Sequence, residues 1–230
     1  AAPDAGVYYL CNPNNPTGAV YAADEIDEIA ALAAEFDATV IVDQLYSRLL
    51  YEGVPYVHYR AVSDRPDNTI TIMGPSKTES LSGYRLGVAF GAPHLIERME
   101  KLQAIVSLRA AGYNQAVLRT WFNEPDGWMA ERVVLHQAIR DDLIRIFHGA
   151  GLETRVPQAG SYLFPKLPEL DVDVHDFVRL LRLQAGVIVT PGTEFSPHTP
   201  ASVRLNFSQD HTAAVAAAER IVAMAHRYKA

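Results

Sequence analysis

The densest run of reactive residue types is Gly74-Pro75-Ser76-Lys77-Thr78-Glu79-Ser80-Leu81-Ser82-Gly83-Tyr84-Arg85-Leu86-Gly87. Lys77 follows an apolar run, Thr69-Ile70-Thr71-Ile72-Met73, in a loop of small residues, which is not the pattern of a lysine on a solvated helix face. A partly desolvated lysine beside another cation loses proton affinity and becomes a usable amine nucleophile. Arg85, just ahead of the next apolar run, supplies such a cation, and its planar fork suits a phosphate. Asp43 ends a second apolar run, Thr39-Val40-Ile41-Val42, with Tyr46 shortly beyond it. A strand-end aspartate serves either a bound group or a turn or helix cap. Residues 12–18, Asn-Pro-Asn-Asn-Pro-Thr-Gly, are turn formers in their own right. Arg204 lies inside Val203-Arg204-Leu205-Asn206-Phe207, where an unpaired cation is costly, so a buried partner is implied.

The elements that must hold these residues follow from hydrophobic period. Val7-Tyr8-Tyr9-Leu10-Cys11, residues 39–43, 69–73 and 86–90 read as strands. Asp24 opens a helix with Ile26, Ile29, Leu32, Ala33 and Phe36 at helical spacing. Nearly continuous apolar strands separated by helices indicate a largely parallel sheet covered on both faces. Ligands of such sheets sit beyond the carboxyl ends of the strands, which selects the loops at 12–18, 43–46 and 74–77. Helices are expected over 93–113 and 128–147, the second stopped by Gly149 and Gly151. Beyond them lie strands at 160–164, 187–189 and 203–207 and helices at 174–183 and 212–228, an α+β unit. The texture changes between residues 110 and 150, with no internal repeat and no low-complexity linker.

Composition narrows the function classes. Of the 230 residues 49% are hydrophobic and 20% charged, the profile of an ordinary globular protein. A net charge of −7 without a dense Lys/Arg run argues against nucleic acid or an anionic membrane as partner. A single cysteine, Cys11, excludes an internal disulfide framework and a cysteine-based zinc cluster, and the eight scattered histidines give no metal-site spacing. No apolar stretch reaches the ~20 residues needed to cross a bilayer. Ala1-Ala2-Pro3-Asp4-Ala5-Gly6 lacks the basic and apolar regions of a leader, and the cytoplasm is the expected compartment.

The lysine segment resembles the pyridoxal-phosphate motif of the class I/II aminotransferases of fold type I: small residues, Lys, then Gly-x-Arg-x-Gly. Asn12-Pro13-Asn14-Asn15-Pro16-Thr17-Gly18 is similar to that family's Asn-Pro-x-Asn-Pro-Thr-Gly, and Asp43-Gln44-Leu45-Tyr46 to its Asp-x-x-Tyr. With Val203-Arg204-Leu205, the matches stand in the family's order and approximate spacing over essentially the whole chain. The resemblance implies an incomplete, mainly parallel large-domain sheet over residues 1–130 and a small C-terminal α+β domain over 131–230. It implies pyridoxal 5′-phosphate as cofactor, an L-amino acid and a 2-oxo acid as substrates, and a homodimer.

It also implies roles. Lys77 would bind the cofactor aldehyde and then act as the base. Asp43 would keep the pyridine nitrogen protonated, and Asn15 and Tyr46 would bond the phenolic oxygen. Arg85 would grip the phosphate, with Ser76 as a second contact, and Arg204 and Asn15 would take the substrate carboxylate, a structural ion pair being the other use of Arg204. Relatives often carry a serine three residues before the lysine, where this chain has Gly74, so the phosphate cup is a hydroxyl short or built differently. Relatives also carry a long segment ahead of the Asn-Pro loop, where only eleven residues stand here, so the chain is expected to be part of a longer polypeptide or a short form. A lyase or deaminase on the same fold, or a truncated domain without catalysis, are the alternatives.

Overall fold

Residues rich in Val, Ile and Thr form the predicted strands, because branched side chains pack well on a pleated sheet. The structure, a computed structural model, describes residues 6–63 and 66–230. Residues 1–5, most of the stretch read above for a leader, lie outside them. The chain divides into two units: Ala1–Asn14 with Ala19–Met129, and Asn15–Gly18 with Ala130–Ala230.

In the first unit β1 (Val7–Cys11), β2 (Thr39–Asp43), β3 (Thr69–Met73) and β4 (Val88–Gly91) form one sheet in that order. β1, β2 and β3 are parallel, and their register sets Cys11 opposite Asp43 and Asp43 opposite Ile72. β4 is antiparallel to β3, Met73 facing Val88. No crossover helix separates these two strands, so the chain simply doubles back. α1 (Ala23–Glu35) crosses from β1 to β2, with Asp24 and Glu25 complementing the dipole of its first turn. Ile26, Ala30 and Ala33 of α1 pack with Leu10, Val40, Val42 and Tyr59 in one core cluster. The apolar face is thus narrower than the sequence suggests: Leu32 and Phe36 stay 39% exposed. Strand residues of the other parity, Val7 and Tyr9, are exposed. α2 (Tyr59–Val62), α3 (Pro93–Val106) and α4 (Gly112–Gln115) complete the helices of this unit. The single helix expected over 93–113 is broken after Val106, where Leu108 takes a left-handed backbone angle, φ 60°.

α5 (Trp128–Gly149) belongs to the second unit in all but its first two residues. There β5 (Tyr162–Leu163), β7 (Val203–Asn206) and β6 (Thr190–Pro191) form a small antiparallel sheet with β7 in the centre. Residues 187–189 keep the alternation that suggested a strand, with Val187 and Val189 buried and Ile188 exposed, but pairing begins only at Thr190. α6 (Val174–Leu180) is capped by Asp173, whose carboxylate accepts from the His175 and Asp176 N–H groups, and loosens into a π turn over Leu181–Ala185. α7 (His211–Arg227) is capped by Asp210 in the same way. Ile139, Leu143 and Phe147 of α5, with Ala218 and Ile221 of α7, are buried along helical stripes. No helix among the described residues is long and apolar enough to cross a membrane.

The α1 face can be tested by contrast. Ile26→Ala should cost about 2–5 kcal/mol of stability, as a buried large-to-small change does, and Leu32→Ala much less. Urea unfolding measures both; equal losses would contradict the packing described.

Candidate active site

Backbone hydrogen bonds continue the parallel ladder past the strand ends. Asn12 N–H donates to Asp43 O (3.0 Å) and Gln44 N–H to Ile72 O (2.8 Å). Asp43 therefore sits on main chain fixed from both sides. Its carboxylate accepts from the Leu45 N–H at Oδ1 (3.1 Å) and from the Tyr9 hydroxyl at Oδ2 (2.7 Å). Although much of its ring is exposed, desolvation of its hydroxyl, reinforced by Asp43, raises the Tyr9 phenol above its ordinary value, so it stays a donor. None of the sequence motifs marks Tyr9. The period of two does put Tyr9 and Cys11 on one face, with Cys11 opposite Asp43, and that was the available clue. Tyr46, at 4% exposure, is buried in the turn that follows, which is closed by Ser47 N–H to Gln44 O and Leu49 N–H to Tyr46 O.

The lysine loop leaves β3 at the same end of the sheet. It is closed by Leu81 N–H to Pro75 O (3.1 Å) and Ser80 N–H to Lys77 O (3.2 Å). The Ser76 hydroxyl donates to Leu86 O (3.0 Å), so its proton is already used and its oxygen is left to accept. Lys77 is half-buried, and its amine has no hydrogen-bond or ion-pair partner among the described residues. Arg85 takes a left-handed angle (φ 52°) after the turn Ser82–Tyr84 and is exposed. One of its N–H groups donates to Ser82 O (3.0 Å), which leaves the rest of the fork available. At Gly74 an added Cβ would approach Leu86 O to 3.1 Å and Gly87 Cα to 3.3 Å. The lead into β4 therefore crowds this position.

Asn15 and Arg204 belong to the second unit. The stretch Asn15–Gly18 is anchored at its end, where Gly18 O accepts from the Gln158 and Ala159 N–H groups at 2.8 and 3.1 Å. Gly18 has φ +66°, and a Cβ there would meet Pro157 Cβ at 2.5 Å and Ala159 O at 2.6 Å, so no other residue fits. Arg204, on the central strand β7, donates to Asn15 Oδ1 (2.9 Å) and to Thr190 Oγ1 (3.4 Å). Its guanidinium lies over the rings of Tyr162 (4.3 Å) and Phe195 (4.6 Å). The partner expected for this cation is thus an amide, a hydroxyl and two aromatic faces, with no ion pair to an acid among the described residues. Neutral partners leave the positive charge free to take up an anion.

Within the first unit Asp43 ends β2, and Tyr46, Ser76, Lys77 and Arg85 lie on loops beyond the strand ends; within the second Asn15 and Arg204 are in direct contact. The two aromatic rings under Arg204 escaped sequence reading, since the contact of Tyr162 depends on the pairing of β5 with β7 and that of Phe195 on loop geometry. A cluster of Arg48, Glu79 and Glu124 beside the lysine loop escaped it as well.

Comparison with known proteins sharpens this picture. Residues 2–221 match the family model for aminotransferase class I and II. The aspartate aminotransferase of Musicola paradisiaca is 30% identical over 97% of this chain and 56% of its own length. Aromatic-amino-acid aminotransferase 2 of Thermococcus litoralis is 27% identical over 90% of this chain and 54% of its own. A crystal structure of an aspartate aminotransferase from Rhodobacter sphaeroides is 67% identical, with a TM-score of 0.95 over 98% of this chain and 57% of that one. The chain thus spans about half the length of the curated relatives it matches. In fold, motif order and sequence, it belongs to the class I and II aminotransferase family.

Proposed function

We propose that this chain carries the lysine, the pyridine-side aspartate and the carboxylate-binding arginine of a pyridoxal-phosphate-dependent transaminase, which moves an amino group from an L-amino acid to a 2-oxo acid. The observation that carries the reading is the half-buried Lys77 amine, without a partner among the described residues, in the loop after β3, whose neighbour β2 ends in Asp43. In this reading the first unit is the C-terminal portion of the cofactor-binding domain and the second the small domain. The homodimer belongs to the proposal too, supported by Leu102, Ile105 and Val106, which stand exposed on α3.

The residues present fit the cofactor by chemistry: an amine for its aldehyde, a carboxylate with spare acceptor capacity for its ring nitrogen, and a guanidinium with spare donors for its phosphate. When bound, the cofactor supplies an electron sink for the charge that develops at the substrate Cα. Lys77 Nζ would hold the aldehyde and would serve as the base that takes the proton from the substrate Cα. Asp43 would hold a proton at the ring nitrogen, its carboxylate oriented by the Tyr9 hydrogen bond. Tyr46 and Asn15 would bond the phenolic oxygen. Arg85 would hold the phosphate, the Ser76 oxygen serving only as an acceptor because its proton is committed to Leu86 O. Arg204 takes the α-carboxylate by a two-bond fork, its plane already set by the rings of Tyr162 and Phe195.

Transamination is tested by supplying the protein with cofactor and a panel of L-amino acids, with and without a 2-oxo acid acceptor. Turnover should require the acceptor; ammonia released without one would overturn the assignment in favour of a lyase or deaminase. In the same assay Asp43→Asn should retain cofactor and lose most turnover, because a neutral amide cannot hold the ring nitrogen protonated, and near-normal rates would remove Asp43 from that role. Arg204→Lys should lower kcat/KM for every amino acid by a similar factor, a cost of about 2–5 kcal/mol. A change in preference between acidic and aromatic substrates with affinity spared would refute its role.

A further inference from the structure

Two residues beyond Lys77 the chain buries a carboxylate that the chemistry above does not use. The Glu79 side chain is 6% exposed, and burial pushes its carboxyl above the ordinary value although the Arg48 guanidinium opposes the shift. Its Oε1 accepts from Arg48 Nη1 and from Trp121 Nε1 (3.3 Å). Its Oε2 is buried with no hydrogen-bond partner among the described residues. Arg48 also forks onto Glu124, Nη1 to Oε1 at 2.9 Å and Nη2 to Oε2 at 3.0 Å, and lies 4.3 Å from the centre of the Phe122 ring. The bonds from Arg48 hold the Glu124 carboxyl down to about 2.

Such a cluster contributes little to stability, because desolvation offsets the attraction of a buried pair, and an orphaned buried oxygen adds a further cost. It does fix distance. Arg48 stands two residues after Tyr46 and five after Asp43, in the turn closed by Ser47 N–H to Gln44 O and Leu49 N–H to Tyr46 O. Glu79 stands two residues after Lys77, in the turn closed by Ser80 N–H to Lys77 O. The ion pair therefore ties the loop of the reacting amine to the loop of the pyridine-side carboxylate, with little slack on either side.

We propose that Arg48 and Glu79 are positioning residues: their buried ion pair, backed by Glu124 and Trp121, sets the Lys77 backbone against the Asp43–Tyr46 turn so that the amine meets the cofactor aldehyde. This rests on the reading of Lys77 given above. Glu79→Gln keeps the shape, the Trp121 bond and the Arg48–Glu124 fork but removes the charge from the pair. The triple variant Arg48→Met/Glu79→Leu/Glu124→Gln replaces the pair by apolar side chains of similar bulk and leaves no carboxylate without its partner. Both should melt close to the unaltered protein. Both should acquire the visible absorbance of bound pyridoxal phosphate about tenfold more slowly, as a small misplacement of a reacting group would cause, and the pH midpoint of that absorbance should move. Variants with unaltered uptake and midpoint would overturn this inference alone. A large fall in melting temperature in both would make the cluster a stability element and overturn it as well. Absence of any cofactor absorbance in the unaltered protein would overturn the Lys77 reading along with it.

Discussion

Two hydrogen bonds just past the strand ends, Asn12 N–H to Asp43 O and Gln44 N–H to Ile72 O, are the interactions on which the site in the first unit depends. They extend the parallel ladder by one residue into the loops, so the main chain at Asp43 is determined by the register of β1, β2 and β3 and not by loop preference. A slip of one residue would turn Asp43 to the face that α1 covers and bring Val42 or Gln44 to its place. The register is held in turn by burial of Leu10, Val40 and Val42 against α1. Hydrophobic packing on one face of the sheet thereby orients a carboxylate presented by the other.

The two buried-side arginines show how one side chain serves two ends. Arg48 is paired with two carboxylates, Glu79 and Glu124, so its charge is compensated and it acts as a brace. Arg204 is stacked on Tyr162 and Phe195 and bonded to Asn15 and Thr190, all of them neutral. Its direction is set while its charge is left uncompensated, the arrangement that recognition of an anionic group requires. The difference lies wholly in the partners.

The parallel strands and the crossover helix were legible because period and residue type agree there: Thr39-Val40-Ile41-Val42 can bury both faces only as an inner strand. The direction of β4 was not legible, since a loop of that length can either cross the sheet or double back. Residues 187–189 misled because alternating burial can arise from packing without a ladder partner. For the site, the loops could be located from strand ends, and the lysine segment resembled a known motif. Their partners could not be read. Tyr9 on Asp43, the rings beneath Arg204 and the Arg48–Glu79 pair join residues far apart in sequence, and only tertiary structure selects them. Likewise nothing in Asn15–Gly18 says that these residues group with the second unit, yet Gly18 has the one backbone conformation that fits against Pro157 and Ala159.

The central claim, that Lys77 is the amine which binds the cofactor aldehyde, is tested most directly by covalent trapping. The protein is loaded with pyridoxal phosphate, reduced with borohydride, digested and mapped by mass spectrometry. The pyridoxyl mass should appear on the peptide containing Lys77 and disappear in Lys77→Ala. A label on another lysine in the unaltered protein, or an undiminished label in Lys77→Ala, would contradict the account.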